Sequence, residues 1–155
     1  MANADQCIVD ACKSAWEGSF LPGTPNKDNC SGFVKAVAAQ LGVPLPATAD
    51  ADGIASAVAA SWKKVDGGEE AQRLAANGAF VLVLLKGKDH CPPRHHGHVG
   101  VVVAGELYRH KYPMMWGGSI GNAQSEGDKS VGEVWNRADR DSVQYYTFST
   151  FACKR

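Results

Sequence analysis

Two residues in this chain have types and settings suited to covalent chemistry, Cys30 and His98. Cys30 stands in Asp28-Asn29-Cys30-Ser31-Gly32-Phe33-Val34, between a turn-forming loop and an apolar run. Phe33, Val34, Val37, Ala38 and Leu41 recur at helical spacing, and Gly42 and Pro44 stop the run. Asp28 or Asn29 is a natural N-cap, which puts Cys30 in the first turn of a buried helix. The unpaired N–H groups and the positive helix end stabilise a thiolate there, and the thiolate is the nucleophilic form of cysteine. The N–H groups of Cys30 and Ser31 are also placed to hold a developing oxyanion. His98 opens Gly97-His98-Val99-Gly100-Val101-Val102-Val103, a short β-branched run typical of a buried strand. A helix-start cysteine and a later strand-start histidine meet in space rather than in sequence when they act as nucleophile and base. The bland alternative for Cys30 is a small buried hydrophobe, the usual fate of a free cysteine.

The elements that must position this pair follow from the same patterns. Residues 4–16 read as a helix capped by Asn3 with Gln6 completing a capping-box pattern, and with Ile8, Cys12 and Trp16 on one face. A turn-rich loop over 18–28 leads into the nucleophile helix at 30–41. Residues 50–63 form a second amphipathic helix, capped by Asp50 or Asp52, and 69–77 a shorter one stopped by Gly78. The texture then changes to strands. Ala79 to Leu85 is continuously apolar, as a central strand would be, and Val99 to Val103 carries the histidine. Ala104-Gly105 reads as a turn into Glu106 to Arg109, and Val143 to Phe148 closes the sheet. Helices first and strands afterwards is an α+β order.

At 155 residues the length prior gives one domain, residues 1–155. Hydrophobic content of 45% and charged content of 21% suit a folded chain with a real core. The formal net charge is zero and no basic run appears, which argues against a nucleic-acid partner. The longest apolar run, Ala79 to Leu85, is too short to span a bilayer, so no membrane insertion is expected. Met1 to Gln6 has neither a charged region nor an apolar stretch of a signal peptide, so synthesis in the cytoplasm is expected.

The five cysteines, Cys7, Cys12, Cys30, Cys91 and Cys153, leave at least one free if the others pair, and on composition alone five reduced thiols in a cytosolic protein is the preferred reading. Lys86 to Gly97 holds three of the five histidines together with Cys91. Cys and His invite a zinc reading. There is no paired C-x-x-C or H-x-x-x-H element, however, and Pro92-Pro93 stiffens the middle. A surface loop forming one wall of the cleft, with incidental imidazoles and no metal, is the expected account; no cofactor is implied.

Several further segments join these motifs: Asp5-Gln6-Cys7-Ile8-Val9, Gly23-Thr24-Pro25-Asn26-Lys27, Leu107-Tyr108-Arg109, Lys111-Tyr112-Pro113-Met114, Ser130-Val131-Gly132 and Val134-Trp135-Asn136-Arg137. Through them the chain resembles NlpC-type, papain-like peptidoglycan peptidases, and more closely the first family of amidase effectors delivered by bacterial type VI secretion. The resemblance implies N-terminal helices packed on an antiparallel sheet, with Cys30 as nucleophile and His98 as base or ion-pair partner. It implies a Cys7–Cys153 disulfide, which would close nearly the whole chain and stabilise it by roughly 4–5 kcal/mol. The implied substrate is the peptidoglycan stem peptide, cut at the γ-D-glutamyl–meso-diaminopimelate amide in the periplasm of a recipient cell. The implied partners are the secretion apparatus and a cognate immunity protein, with the enzyme itself a monomer.

Two departures from the family stand out. Met115 and Gly117 occupy positions where the family carries cysteines, and the loop before His98 is longer than its counterpart. A third group orienting His98 is sought in Trp116 to Asn122, as a side chain or a backbone carbonyl, and Lys27 or Arg94 are candidate cations for an acidic stem. An acidic, readily alkylated Cys30 thiol is expected from its helix-end setting. A non-amidase thiol acyltransferase of the same superfamily, or a non-catalytic metal- or wall-binding module, remains the alternative.

Overall fold

The computed structural model describes residues 3–154; Met1, Ala2 and Arg155 lie outside the described residues, and with them the first two positions of the Met1 to Gln6 stretch. The chain is α+β. In order it forms α1 (Gln6–Trp16), α2 (Cys30–Leu41), α3 (Ala51–Ser61), β1 (Lys63–Val65), α4 (Gly68–Ala76), β2 (Val81–Leu85), β3 (His98–Tyr108), β4 (Tyr112–Gly117), β5 (Ser125–Ser130), α5 (Val131–Val134) and β6 (Gln144–Thr147). The six strands make one sheet in the order β1-β6-β2-β3-β4-β5, every neighbouring pair antiparallel.

Helices cover both faces of this sheet, which explains the apolar texture of β2. Leu82 and Leu84 turn toward α1, α2 and α3, packing among Ile8, Phe33, Val37, Ile54 and Val58. Val81, Val83 and Leu85 turn the other way, toward Ala71 and Ala75 of α4 and Val131 and Val134 of α5. A strand buried on both faces reads as a continuous apolar run rather than an alternation. The first layer contains the nucleophile helix. Phe33, Val34 and Val37 on α2 are fully buried, and burial of each such side chain is worth roughly 1.5–3 kcal/mol.

The caps show how composition became boundary. Asn29, with an extended backbone, accepts from the Gly32 N–H at 3.1 Å and starts α2, while Gly42 at φ 72° ends it. Asp50, rather than Asp52, caps α3 by accepting from the Gly53 N–H at 2.8 Å. Gly78, at φ 93°, ends α4: its N–H bonds the Ala75 carbonyl and the Ala79 N–H bonds that of Leu74. The capping box expected at α1 does not form. The Asn3 carbonyl, not its side chain, accepts from the Gln6 N–H, the N-cap position falls to Asp5 without a side-chain bond, and Gln6 instead donates to Asp10.

The sheet also departs from the expected strand list. β3 does not turn at Ala104-Gly105. It continues to Tyr108 through an irregularity between Val103 and Tyr108, with Gly105 at φ 151° inside it. A glycine in a strand marks a bulge as readily as a turn. Reversal comes at Arg109 and His110, both with positive φ (53° and 59°) although neither is glycine. β1, β4 and β5 were not expected as strands; β1 and β5 are the polar edges of the sheet.

The ends of the chain are joined by the Cys7–Cys153 disulfide, whose Cα atoms are 5.7 Å apart. The Cys153 N–H also donates to the Gly78 carbonyl at 2.8 Å, which docks the C-terminal segment beside the α4 cap. Cys12 (buried), Cys30 (half-buried) and Cys91 (exposed) stay free. Thiol titration of denatured, unreduced protein should therefore count three, and five would remove the bridge. Reduction should lower the melting temperature by roughly 10 °C or more, since it restores loop entropy to the unfolded chain.

Candidate active site

The thiol is aimed by the loop that precedes its helix. Asn26 is 1% exposed and its side chain bonds at both ends: Nδ2 donates to the Ala15 carbonyl at 2.7 Å and Oδ1 accepts from the Phe20 N–H at 2.9 Å. Its N–H donates to the Gly18 carbonyl. A short 3₁₀ turn over Asn26–Asp28 follows and docks on the sheet, where the Ser119 N–H donates to the Lys27 carbonyl at 2.8 Å. Gly118 is required at this contact, because a Cβ there would overlap the Asn26 carbonyl. Gln124 reaches back to the same turn, donating to Lys27 and Asp28. Asn29 therefore begins α2 at a fixed place, with Cys30 at its first helical position.

Cys30 and His98 line one cleft of about 300 Å³, together with Ser31, Asp50, Arg94, His96, Ser119, Ile120 and Asn122. The N–H groups of Cys30 and Ser31, and that of Val99 from β3, lie close enough to the Cys30 sulfur to favour its thiolate. The first two are the expected oxyanion donors. The third went unread in the sequence, since no side-chain pattern reports where a strand N–H points. Arg94 crosses the cleft rim and donates to Asn122 Oδ1 at 2.6 Å. Of the two candidate cations it alone lines the cleft.

His98 is 3% exposed and lies on the second-layer face of the sheet, its ring edge-on to Trp135 at 4.9 Å between centroids. No hydrogen bond joins its ring to the Cys30 sulfur in this structure, and its Nε2 is buried without a partner. The third group expected in Trp116 to Asn122 does not reach it. Ser119 Oγ accepts from the Asn122 N–H, and Asn122 is spent on Arg94 and the Val134 carbonyl.

Burial sets the protonation of the pair. The Cys30 thiol is held above its ordinary range, because burial outweighs the Val99, Ser31 and Cys30 N–H groups and the Arg94 charge that all favour the thiolate. His98 is pushed down to about 3, by burial first, then by Arg94 and His90. The resting pair is thus a neutral thiol and a neutral imidazole, which corrects the expectation of an acidic thiol: the helix-end contribution is present but smaller than the desolvation cost.

The loop before β3 is ordered. The Gly87 N–H donates to Asp52 at 3.0 Å, the Arg94 N–H to the Gly87 carbonyl at 2.8 Å, and the Cys91 N–H to the buried Asp139 at 2.7 Å. His95 and His96 are exposed, whereas His90 is 3% exposed. Among the described residues no group of three or more His, Cys, Asp or Glu side chains converges as a metal-binding set. Lys35 is a further buried charge that periodicity concealed. It donates to the Ala47 and Ala49 carbonyls at 3.0 and 2.8 Å and ties the approach to α3, hence Asp50 at the cleft, onto α2.

The sign of the His98 shift has a measurable consequence. Between about pH 6.5 and 3 the unfolded chain binds a proton at this position that the folded chain refuses, so stability falls as pH falls through that window. His98→Gln should flatten this part of the profile, by up to a few kcal/mol between pH 7 and 4, in denaturant unfolding. An unchanged profile would mean that His98 is charged in the fold. Iodoacetamide should label native Cys30 at pH 6 no faster than an unfolded thiol; faster labelling would indicate a resting ion pair.

No family model matches the chain. A curated relative, the peptidoglycan amidase Tse1 of Pseudomonas aeruginosa, is 54% identical over 155 residues, which span 99% of this chain and 96% of the relative. Identity of that extent over nearly the whole of both chains shows that this chain belongs to the family of type VI secretion amidase effectors.

Proposed function

We propose that this chain is a peptidoglycan-hydrolysing toxin, a papain-like thiol amidase in which residues 1–155 act as one catalytic unit. The observation that carries this reading is the Cys30 thiol at the first turn of α2, sharing a cleft with the neutral, buried imidazole of His98. In the proposed cycle a modest closure brings the ring to the thiol, as catalytic hydrogen bonds tighten only when substrate binds. His98 takes the Cys30 proton as sulfur attacks an amide carbonyl. The N–H groups of Cys30 and Ser31 hold the oxyanion, joined by that of Val99. His98 then protonates the leaving amine, and water resolves the thioester.

The substrate in this reading is the peptide stem, cut between γ-D-glutamyl and meso-diaminopimelate, with Arg94 facing its carboxylates. The site of action is the recipient periplasm, where the terminal disulfide persists. A cognate immunity protein would protect the producer by covering the cleft. Export by type VI secretion fits a chain that carries this bridge.

Mass analysis of purified muropeptides after incubation with the protein tests the reading. New fragments should end at the γ-D-glutamyl residue, and Cys30→Ala and His98→Ala should each lower the rate at least about 10³-fold with circular dichroism unchanged. Cleavage by Cys30→Ala would end the thiol assignment, and intact muropeptides with an active thiol would favour the acyltransferase alternative. Expression in a bacterial cytoplasm should be tolerated and expression with a periplasmic export signal should lyse the cell; equal toxicity from both would remove the peptidoglycan assignment.

A further inference from the structure

With His98 as the base for Cys30, as proposed above, the far edge of its ring needs an acceptor. Nδ1 is then the nitrogen that must be bare to receive the thiol proton, so the proton of the neutral ring sits on Nε2. That atom is buried and bonds to nothing. A buried donor left in this state costs on the order of 1–3 kcal/mol. The groups expected to serve it are engaged elsewhere: Ser119 with Asn122, and Asn122 with Arg94 and Val134. Met115 and Gly117 offer no polar side chain.

A second imidazole has the complementary deficit. His90 Nδ1 lies 3.0 Å from the Lys86 carbonyl oxygen. A carbonyl only accepts, so Nδ1 carries the His90 proton and Nε2 is left as a bare lone pair. That Nε2 is also buried without a partner. One orphan is a donor and the other an acceptor, and the fold brings the rings into one neighbourhood: His98 pairs with Leu85 across β3 and β2, and the His90 ring is held on the carbonyl of Lys86, the next residue.

We propose that His90 is the third group of the site: its Nε2 accepts the Nε2–H of His98, directly after a small ring rotation or through one water, and holds the imidazole with Nδ1 toward Cys30.

The fold supplies the rigidity this role needs. His90 is anchored by its own bond to Lys86, and the next residue by the Cys91 N–H to the 2%-exposed Asp139. Asp52 and the Arg94–Gly87 bond close the base of the loop. Trp135, edge-on at 4.9 Å, limits how far the His98 ring can swing. During acylation the Cys30 proton passes to His98 Nδ1 as sulfur bonds the carbonyl carbon. The same proton leaves with the amine as the carbon–nitrogen bond breaks. His90 keeps its Nδ1 proton throughout and gains none, so it is a positioning residue. Its hydrogen bond strengthens as charge develops on His98, which favours the transition state over the resting pair.

The test compares His90→Leu and His90→Gln in the full chain, since glutamine can return an acceptor near the Nε2 position. With purified muropeptides, kcat should fall about 10- to 100-fold in His90→Leu with KM within about twofold, and His90→Gln should recover most of the loss. Nitrogen-15 spectra of the wild type should show His98 protonated at Nε2 and His90 at Nδ1. Full turnover by His90→Leu, equal losses in both variants, or His98 protonated at Nδ1 would each overturn the proposal. Should His90→Leu fail to fold, the wild-type spectra decide alone. Cys30→Ala run in parallel separates the two levels. Activity in that variant ends the thiol assignment, whereas its inactivity beside a fully active His90→Leu ends only the role of His90.

Discussion

The side chain of Asn26 is the constraint on which the site depends. A 1%-exposed amide satisfied at both ends by backbone, it fixes the exit of α1, the loop after it and the 3₁₀ turn in one stroke. That turn leans on Ser119, just beyond the end of β4, and its last residue hands over to Asn29, whose cap starts α2 at Cys30. The reactive atom is therefore located by backbone hydrogen bonds drawn from three separate regions of the chain. Leaving any of them unmade would strand a buried polar group, at a cost of about 1–3 kcal/mol. Such sites are precise because imprecision is expensive.

Burial then decides the chemistry. Cys30 and His98 sit where charge is disfavoured, so the helix end, the strand N–H and Arg94 do not ionise the thiol at rest. The same low-dielectric setting makes each of those dipoles count for more once negative charge forms on a substrate oxygen or on sulfur. In the proposed cycle the arrangement withholds charge from the ground state and favours it in the transition state, which is what differential binding requires. The two partners come from different layers, the thiol from the α2 side of the sheet and the imidazole from the Trp135 side, so the site lies at the end of β3 where neither core continues.

Much of this was legible in the residues. The cap at Gly78 was readable outright, and those at Asn29 and Asp50 to within a pair of candidates each, because each is a local hydrogen-bonding or φ requirement. β2 was readable because a doubly covered strand has an unbroken apolar run. Cys30 and His98 were singled out because their types are rare in such settings, and the fold brings both to one cleft. What escaped had physical reasons. β4 carries Pro, Met, Trp and Gly, and β5 is a polar edge, so neither shows alternation. Gly105 signalled a turn and made a bulge. Lys35 and His90 are polar residues that become interior only through loops closing over them, and no periodicity announces that. The direction of the Cys30 shift was missed because helix-end stabilisation is visible in sequence whereas depth of burial is not.

The terminal disulfide changes the topology of the chain as well as its energetics. With Cys7 bonded to Cys153, residues 7–153 form a closed covalent ring. A ring has no interior end to draw through an opening; unfolded, it must pass two strands abreast. An aperture that admits one extended strand is therefore barred to the oxidised protein. Any transfer through such an aperture requires the bridge to be reduced beforehand, and any transfer with the bridge closed requires a passage wide enough for a doubled strand or for the folded body.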